Sequence, residues 1–234
     1  MTNSLFAALY VYHDDSPHSA AMNMAIDEAL LESAAVPSIR FYGWHSPALS
    51  FGYFGRFSDL AIYAGERDLV RRWTGGGIVF HGDDLTYSIV LPSSDAAFLE
   101  SSMTIYEKTH RALAGALNAI GQKAIVAGGV DAGRALATET TLTTSDDNCF
   151  ANPVRADVMV DGRKVAGAAQ RRTRRGLLHQ GSIQGVAVTT DFAQRFARRL
   201  SANHSQFKIT EETLKRAREL AQQKYGSDSW LHKW

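Results

Sequence analysis

Three consecutive glycines, Gly75, Gly76 and Gly77, interrupt the segment RRWTGGGIVFHGDDLTYS that runs from Arg71 to Ser88. Strand-like pieces flank them, Leu69 to Trp73 before and Ile78 to Phe80 after, so the chain must build a loop there with no side chain on it. Such a loop lets backbone N–H groups approach a ligand that a Cβ would hold off. A tight bend uses the same residues, and the rest of the chain must decide between the two.

The order of elements around the loop is mixed α and β, with no internal repeat. Leu5 to Tyr12 reads as a first strand, and Ser16-Pro17 supplies an N-cap and a first-turn proline for a helix carrying Met22, Ile26, Ala29 and Leu30 on one face. Ile39 to Trp44, Leu49 to Tyr53 and Leu85 to Leu91 read as strands, with a short helix near Asp59 to Ala64. Ile105, Thr109, Ala112, Leu113, Ala116, Leu117 and Ile120 form the stripe of a helix over Ser102 to Ile120, which Gly121 ends.

After a short strand at Ala124 to Ala127, Gly128 to Asn148 is rich in Gly, Ala, Thr and Asp without periodicity and reads as a surface loop. Alternation from Val154 to Val160 predicts a half-buried strand, and Asp161-Gly162 a hairpin turn after it. Arg163 to Ala169 returns, Arg171 to Gly176 makes a basic turn, and Leu177 to Ile183 returns again. Two helices finish the chain, the second beginning at Thr210-Glu211-Glu212 and stopping at Gly226. The pattern is one α+β domain over 1–234, a mixed β-sheet packed with helices.

Charge and cysteine usage remove several function classes. With 25 basic and 24 acidic side chains the net charge is +1, so no global field marks a nucleic-acid binder. No run of about 18 apolar residues predicts a membrane span. Cys149 is the single cysteine, so no internal disulfide forms, and a cytoplasmic setting is expected. One Cys and eight scattered His offer no metal set at a recognised spacing.

The candidate residues each carry a plain reading and a chemical one. Lys164 lies in DGRKVAGAAQ beside Ala166, Gly167, Ala168 and Ala169. It is either a solvated lysine or an ammonium that holds a carbonyl or phosphate where small residues leave room. Cys149 follows Asp146 and Asp147, which would raise its pKa; it is a small buried hydrophobe or, with a compensating cation, a nucleophile. His81 and His179 are hydrogen-bonded fixtures or proton carriers. Arg171, Arg172, Arg174 and Arg175 form a solvated turn or a docking patch for an acidic partner.

Several motifs in one order resemble the lipoate-protein ligase and octanoyltransferase superfamily, whose catalytic fold is shared with biotin-protein ligases. They are AMNMAIDEALLE, IRFYGWHSPALSFGYF, VRRWTGGGIVFHGDDLTYSIVLP, DGRKVAGAAQRR, GLLHQGSI and the ending KYGSDSWLHKW. The resemblance implies an acyl pocket, with Arg71, Arg72, Thr74, Gly75, Gly76, Gly77 and His81 on a substrate-binding loop. Gly167 and Ala168 fall beside it, and Lys164 matches the lysine that holds the acyl carbonyl. It also implies partners: octanoyl acyl carrier protein, and lipoyl domains of 2-oxoacid dehydrogenases or the glycine cleavage H protein. The basic residues at 171–175 then read as a docking surface.

Within that superfamily, CFANP (Cys149 to Pro153) resembles the CFxxP element of octanoyltransferases whose cysteine is the nucleophile, a route that needs no cofactor. Gly77, where those transferases carry arginine, and Ala156-Asp157 instead resemble the ATP-using ligases, which need ATP and Mg and would leave Cys149 idle. A non-catalytic carrier-binding paralogue is the third expectation.

Overall fold

The computed structural model describes residues 4–14, 16–128 and 154–234. Cys149 and most of the Gly128 to Asn148 loop lie outside the described residues. Eleven strands are described: β1 (Leu9–His13), β2 (Ser38–Tyr42), β3 (Ala48–Phe51), β4 (Asp68–Arg71), β5 (Val79–His81), β6 (Leu85–Pro92), β7 (Ala124–Val126), β8 (Val158–Val160), β9 (Arg163–Arg172), β10 (Gly176–Ile183) and β11 (His204–Phe207). Eight of them form a mixed sheet in the order β11-β1-β2-β6-β10-β9-β8-β7. A separate sheet of three runs β4-β3-β5.

Strand alternation sorts the large sheet into two unlike faces. From β6, Tyr87, Ile89 and Leu91 enter a core with Phe41, Leu177 and helices α2 (Ser102–Asn118) and α3 (Phe192–Leu200). From the opposite face, Val90 and Leu178 pack with α1 (Ala20–Ser33) and α4 (Glu211–Leu220). Past α1, the small sheet stands beside this second face. Helix α1 begins where Ser19 Oγ accepts the Met22 N–H at 3.3 Å and Asp68 Oδ2 accepts the Ala20 N–H at 2.7 Å, an anion at the positive helix end.

Several boundaries differ from the sequence reading. The N-cap of α1 is Ser19, not Ser16. Val154 to Asp157 is not strand: Ala156 sits at φ 72° in a turn, and only Val158–Val160 pairs with β9. Strand β9 continues through Arg171 and Arg172, because β10 supplies partners for both, so the turn is shorter than 171–176. Strand β11 was not expected; it pairs parallel with β1 at the sheet edge. After α4 the chain runs through a wide turn at Ala221–Tyr225 to a short α5 (Asp228–Leu231). The Asp161-Gly162 hairpin turn forms as expected, with φ 49° and 75°.

Candidate functional site

Between the second face of the large sheet and the small sheet lies an apolar slot. Met24 of α1, Tyr42, Trp44 and Val79 give it bulk, while Gly167, Ala168 and Ala169 of β9 give it room. Its cavity volume among the described residues is about 30 Å³. Met24, with three rotatable bonds, is the most adaptable lining side chain.

The glycine loop borders the slot at Ala169, whose Cβ would lie 3.3 Å from a Cβ on Gly76. Gly76 adopts φ +85°, and its carbonyl lies so near Gly52 that a Cβ there would stand 2.0 Å away. Arg72 holds the loop from inside, donating through Nη2 to the carbonyls of Gly75 (3.1 Å) and Gly77 (2.8 Å). Thr74 Oγ1 donates to Gln180 Oε1 at 2.8 Å, and Gln180 Nε2 donates to Asp27 Oδ2 at 2.7 Å. Asp27, fully buried on α1, also receives Arg40 Nη1 at 2.9 Å, Ser88 Oγ at 2.7 Å and Tyr42 OH at 3.1 Å. Arg71 is spent elsewhere, on the carbonyls of Tyr53, Gly55, Trp230 and Leu231.

A second chain of bonds anchors Arg72. Its Nη1 donates to Ser50 Oγ at 2.6 Å, and Ser50 Oγ lies 2.7 Å from His81 Nε2. A carboxylate only accepts, so Asp84 takes the Nδ1 proton of His81, and Ser50, which accepts from Arg72, donates to His81 Nε2. That assigns the His81 proton to Nδ1, 2.8 Å from Asp84 Oδ2. Burial pushes the His81 imidazole below its ordinary value, more strongly than Asp84 pulls it up, so the ring is neutral. Burial alone would raise the Asp84 carboxyl, yet hydrogen bonds from His81, Ser182 and Thr86 hold it low. Trp44 stacks on His81 at 4.0 Å and donates to Thr86 at 2.8 Å.

Lys164 stands beside the small-residue strand. Its ammonium pairs with Asp157 Oδ2 at 2.8 Å, both side chains buried, and Tyr106 OH donates to Asp157 Oδ1 at 2.6 Å. A Cβ on Gly167 would lie 2.8 Å from Lys164 Nζ, so the missing side chain lets the ammonium reach the slot wall. Buried behind β9 and β10 are two further histidines. His110 Nδ1 lies 2.6 Å from the Ala156 carbonyl and His179 Nδ1 lies 2.9 Å from Gln170 Nε2; burial pushes His110 down to about 4 and lowers His179 strongly. His179 does not line the slot.

The structure brings Arg72, Gly167, Ala168 and His81 together as slot lining, with the glycine loop and Lys164 at its margin. It does not gather the four other arginines. Arg171 stacks near Tyr53 and Trp73, Arg172 donates to the Phe98 and Glu100 carbonyls, and Arg175 lies 3.8 Å from Glu32. Sequence reasoning missed Asp27, Ser50, Asp84 and Gln180. One signal was available: Asp27 falls among Met24, Ala25, Ile26, Ala29 and Leu30, an acid in an apolar stretch of helix. Among the described residues, no group of three or more His, Cys, Asp or Glu is arranged to hold a metal.

This geometry matches known proteins along most of the chain. At the level of sequence, the chain is 35% identical to octanoyltransferase LipM of Oceanobacillus iheyensis over 182 residues, 74% of this chain and 63% of that protein. It thus spans less than two thirds of that relative. It is 31% identical over 259 residues to octanoyltransferase LipM of Symbiobacterium thermophilum, covering 89% of this chain and 92% of that one. The bipartite lipoate protein ligase of Thermoplasma acidophilum, solved in a lipoylation system with its E2 lipoyl domain, has the same fold: TM-score 0.69 at 21% identity, over 97% of this chain and 96% of that chain. Residues 19–223 match the lipoyl protein ligase A/B catalytic domain, and the chain belongs to that family.

Proposed function

We propose that the chain is an octanoyltransferase that moves an octanoyl group from acyl carrier protein to a lysine of lipoyl carrier domains, in the cytoplasm. The observation that carries the reading is the buried Lys164 ammonium against Gly167, at the wall of an apolar slot bordered by the glycine loop. Relatives named octanoyltransferase support the same reading.

The reaction runs in two steps. Cys149, as thiolate, attacks the thioester carbonyl; the carbon–sulfur bond to the carrier breaks and the carrier thiolate leaves. The lysine amine of the second carrier then attacks the Cys149 thioester, an amide forms, and Cys149 is released. Thioester exchange is nearly balanced in energy, so this route uses no cofactor. Asp157 holds the Lys164 ammonium in place, where it stabilises the oxyanion that develops on the acyl carbonyl. Arg72 acts indirectly: it shapes the loop whose backbone borders the slot.

The ligase reading keeps two observations, Gly77 in place of arginine and the Ala156-Asp157 pair. Incubation with a lipoyl domain and either octanoyl acyl carrier protein, or octanoic acid with ATP and Mg, separates the two readings. Transfer from the thioester alone is expected; transfer only from acid plus ATP would establish the ligase.

A further inference from the structure

The outer side of the glycine loop carries a cluster of rings and cations that the slot does not use. Tyr53, Phe54, Trp73, Trp230 and Trp234 gather there, with Tyr53 edge-on to Phe54 at 4.9 Å and 5.6 Å from Trp230. Phe54 is 74% exposed and Trp234 57% exposed. Three cations sit over these rings. Arg171 lies 5.1 Å from Tyr53 and 5.4 Å from Trp73, Lys224 4.4 Å from Trp73, and Lys233 4.8 Å from Tyr53. Lys224 also pairs with Glu28, whereas Arg171 and Lys233 enter no ion pair among the described residues. The field is positive enough to lower the Tyr53 phenol, through a hydrogen bond from Lys233 and then the charges of Lys233, Arg171 and Lys224.

This face begins where the slot's rim ends. The Tyr53 N–H donates to the Thr74 carbonyl at 2.9 Å, and Trp73 leads into the loop. Arg171 follows Ala169 by two residues, so both point to one face of β9, and Ala169 lines the slot. An occupant of the face therefore holds its reactive group at the slot.

We propose that this face docks the acidic carrier domain whose lysine receives the acyl group. The assignment rests on the octanoyltransferase reading for the identity of the carrier. Exposed aromatic anchors interleaved with cations are the composition of protein interfaces, where Trp, Tyr and Arg concentrate binding energy. A free phosphate would use a cation but none of the exposed ring surface. Uncompensated positive charge draws an acidic domain and speeds encounter. The arginines of the β9–β10 hairpin serve less well, since Arg172 and Arg175 have partners within the chain.

The test measures binding of a lipoyl carrier domain to the full chain directly, apart from any transfer, in wild type, Lys233→Glu and Phe54→Ala. Both side chains are exposed, and an unchanged melting temperature checks that each variant folds. The expected result is a Kd raised about tenfold or more by Lys233→Glu and several-fold by Phe54→Ala, with the wild-type Kd rising in salt. Formation of the acyl-enzyme from octanoyl acyl carrier protein should keep its wild-type rate. Unchanged Kd in both variants would overturn the docking face. Slowed acyl-enzyme formation with unchanged carrier affinity would overturn the choice of acceptor over donor. A wild type that binds the carrier domain tightly yet transfers nothing to it under any regime refutes the octanoyltransferase reading and leaves the face standing.

Discussion

Ser50 links two buried groups, accepting from Arg72 and donating to His81. Ser50→Ala removes a partner from each group, which costs about 1–3 kcal/mol of stability and loosens the carbonyl clamp on Gly75 and Gly77. The expected outcome is a lower melting temperature and a raised KM for the acyl donor, with Ser50→Thr recovering most of both. Equal KM in Ser50→Ala and wild type would show that the clamp does not act on the substrate. For Lys164, whose ammonium meets the slot wall, Lys164→Ala should lower kcat by about 100-fold or more with the fold intact. Ordinary turnover in that variant would refute its role. At this scale the sequence was partly legible. Three adjacent glycines and a lysine among alanines announce themselves. Ser50 on β3, Asp84 in the turn before β6 and Gln180 on β10 are single polar residues, and only the packing of the two sheets brings them together.

Elements with a strong period were read well. The stripe of α2 and the strands β6 and β10 rest on apolar patterns that the core confirms. Failures came where tertiary partners decide. Strand β11, HSQF, is mostly exposed and lacks apolar alternation, so only the edge of β1 makes it a strand. Val154 alternates with its neighbours, yet the Val154 N–H donates to Asp157 Oδ2 at 2.8 Å, and this turn displaces the strand that alternation predicts. Between β3 and the glycine loop, packing is backbone on backbone. Gly52→Ala would place its Cβ 2.0 Å from the Gly76 carbonyl, where no flexible side chain can yield. We expect loss of acyl binding with a drop in stability of several kcal/mol, read by thermal denaturation; a fully stable, active variant would contradict the close approach.

Across the whole molecule, three buried histidines are held neutral: His81, His110 and His179, each lowered first of all by burial. An unfolded imidazole takes up its proton near pH 6.5, while His110 resists until about 4. Through that window the unfolded state binds more protons, so stability falls as pH drops and is recovered as pH rises. Denaturant unfolding should show this decline between about pH 6.5 and 4, and His110→Gln should flatten part of it. A stability independent of pH there would contradict the burial of neutral rings. The family and the α+β architecture were legible because the motifs span nearly the whole chain. The branch of chemistry was less so, since CFANP resembles the transferases while Gly77 and Ala156-Asp157 resemble the ligases. The most direct test is intact-mass spectrometry after incubation with octanoyl acyl carrier protein. One octanoyl adduct is predicted on wild type and none on Cys149→Ala, which should also lose transfer to a lipoyl domain. A Cys149→Ala variant that transfers octanoyl at the wild-type rate would contradict the account.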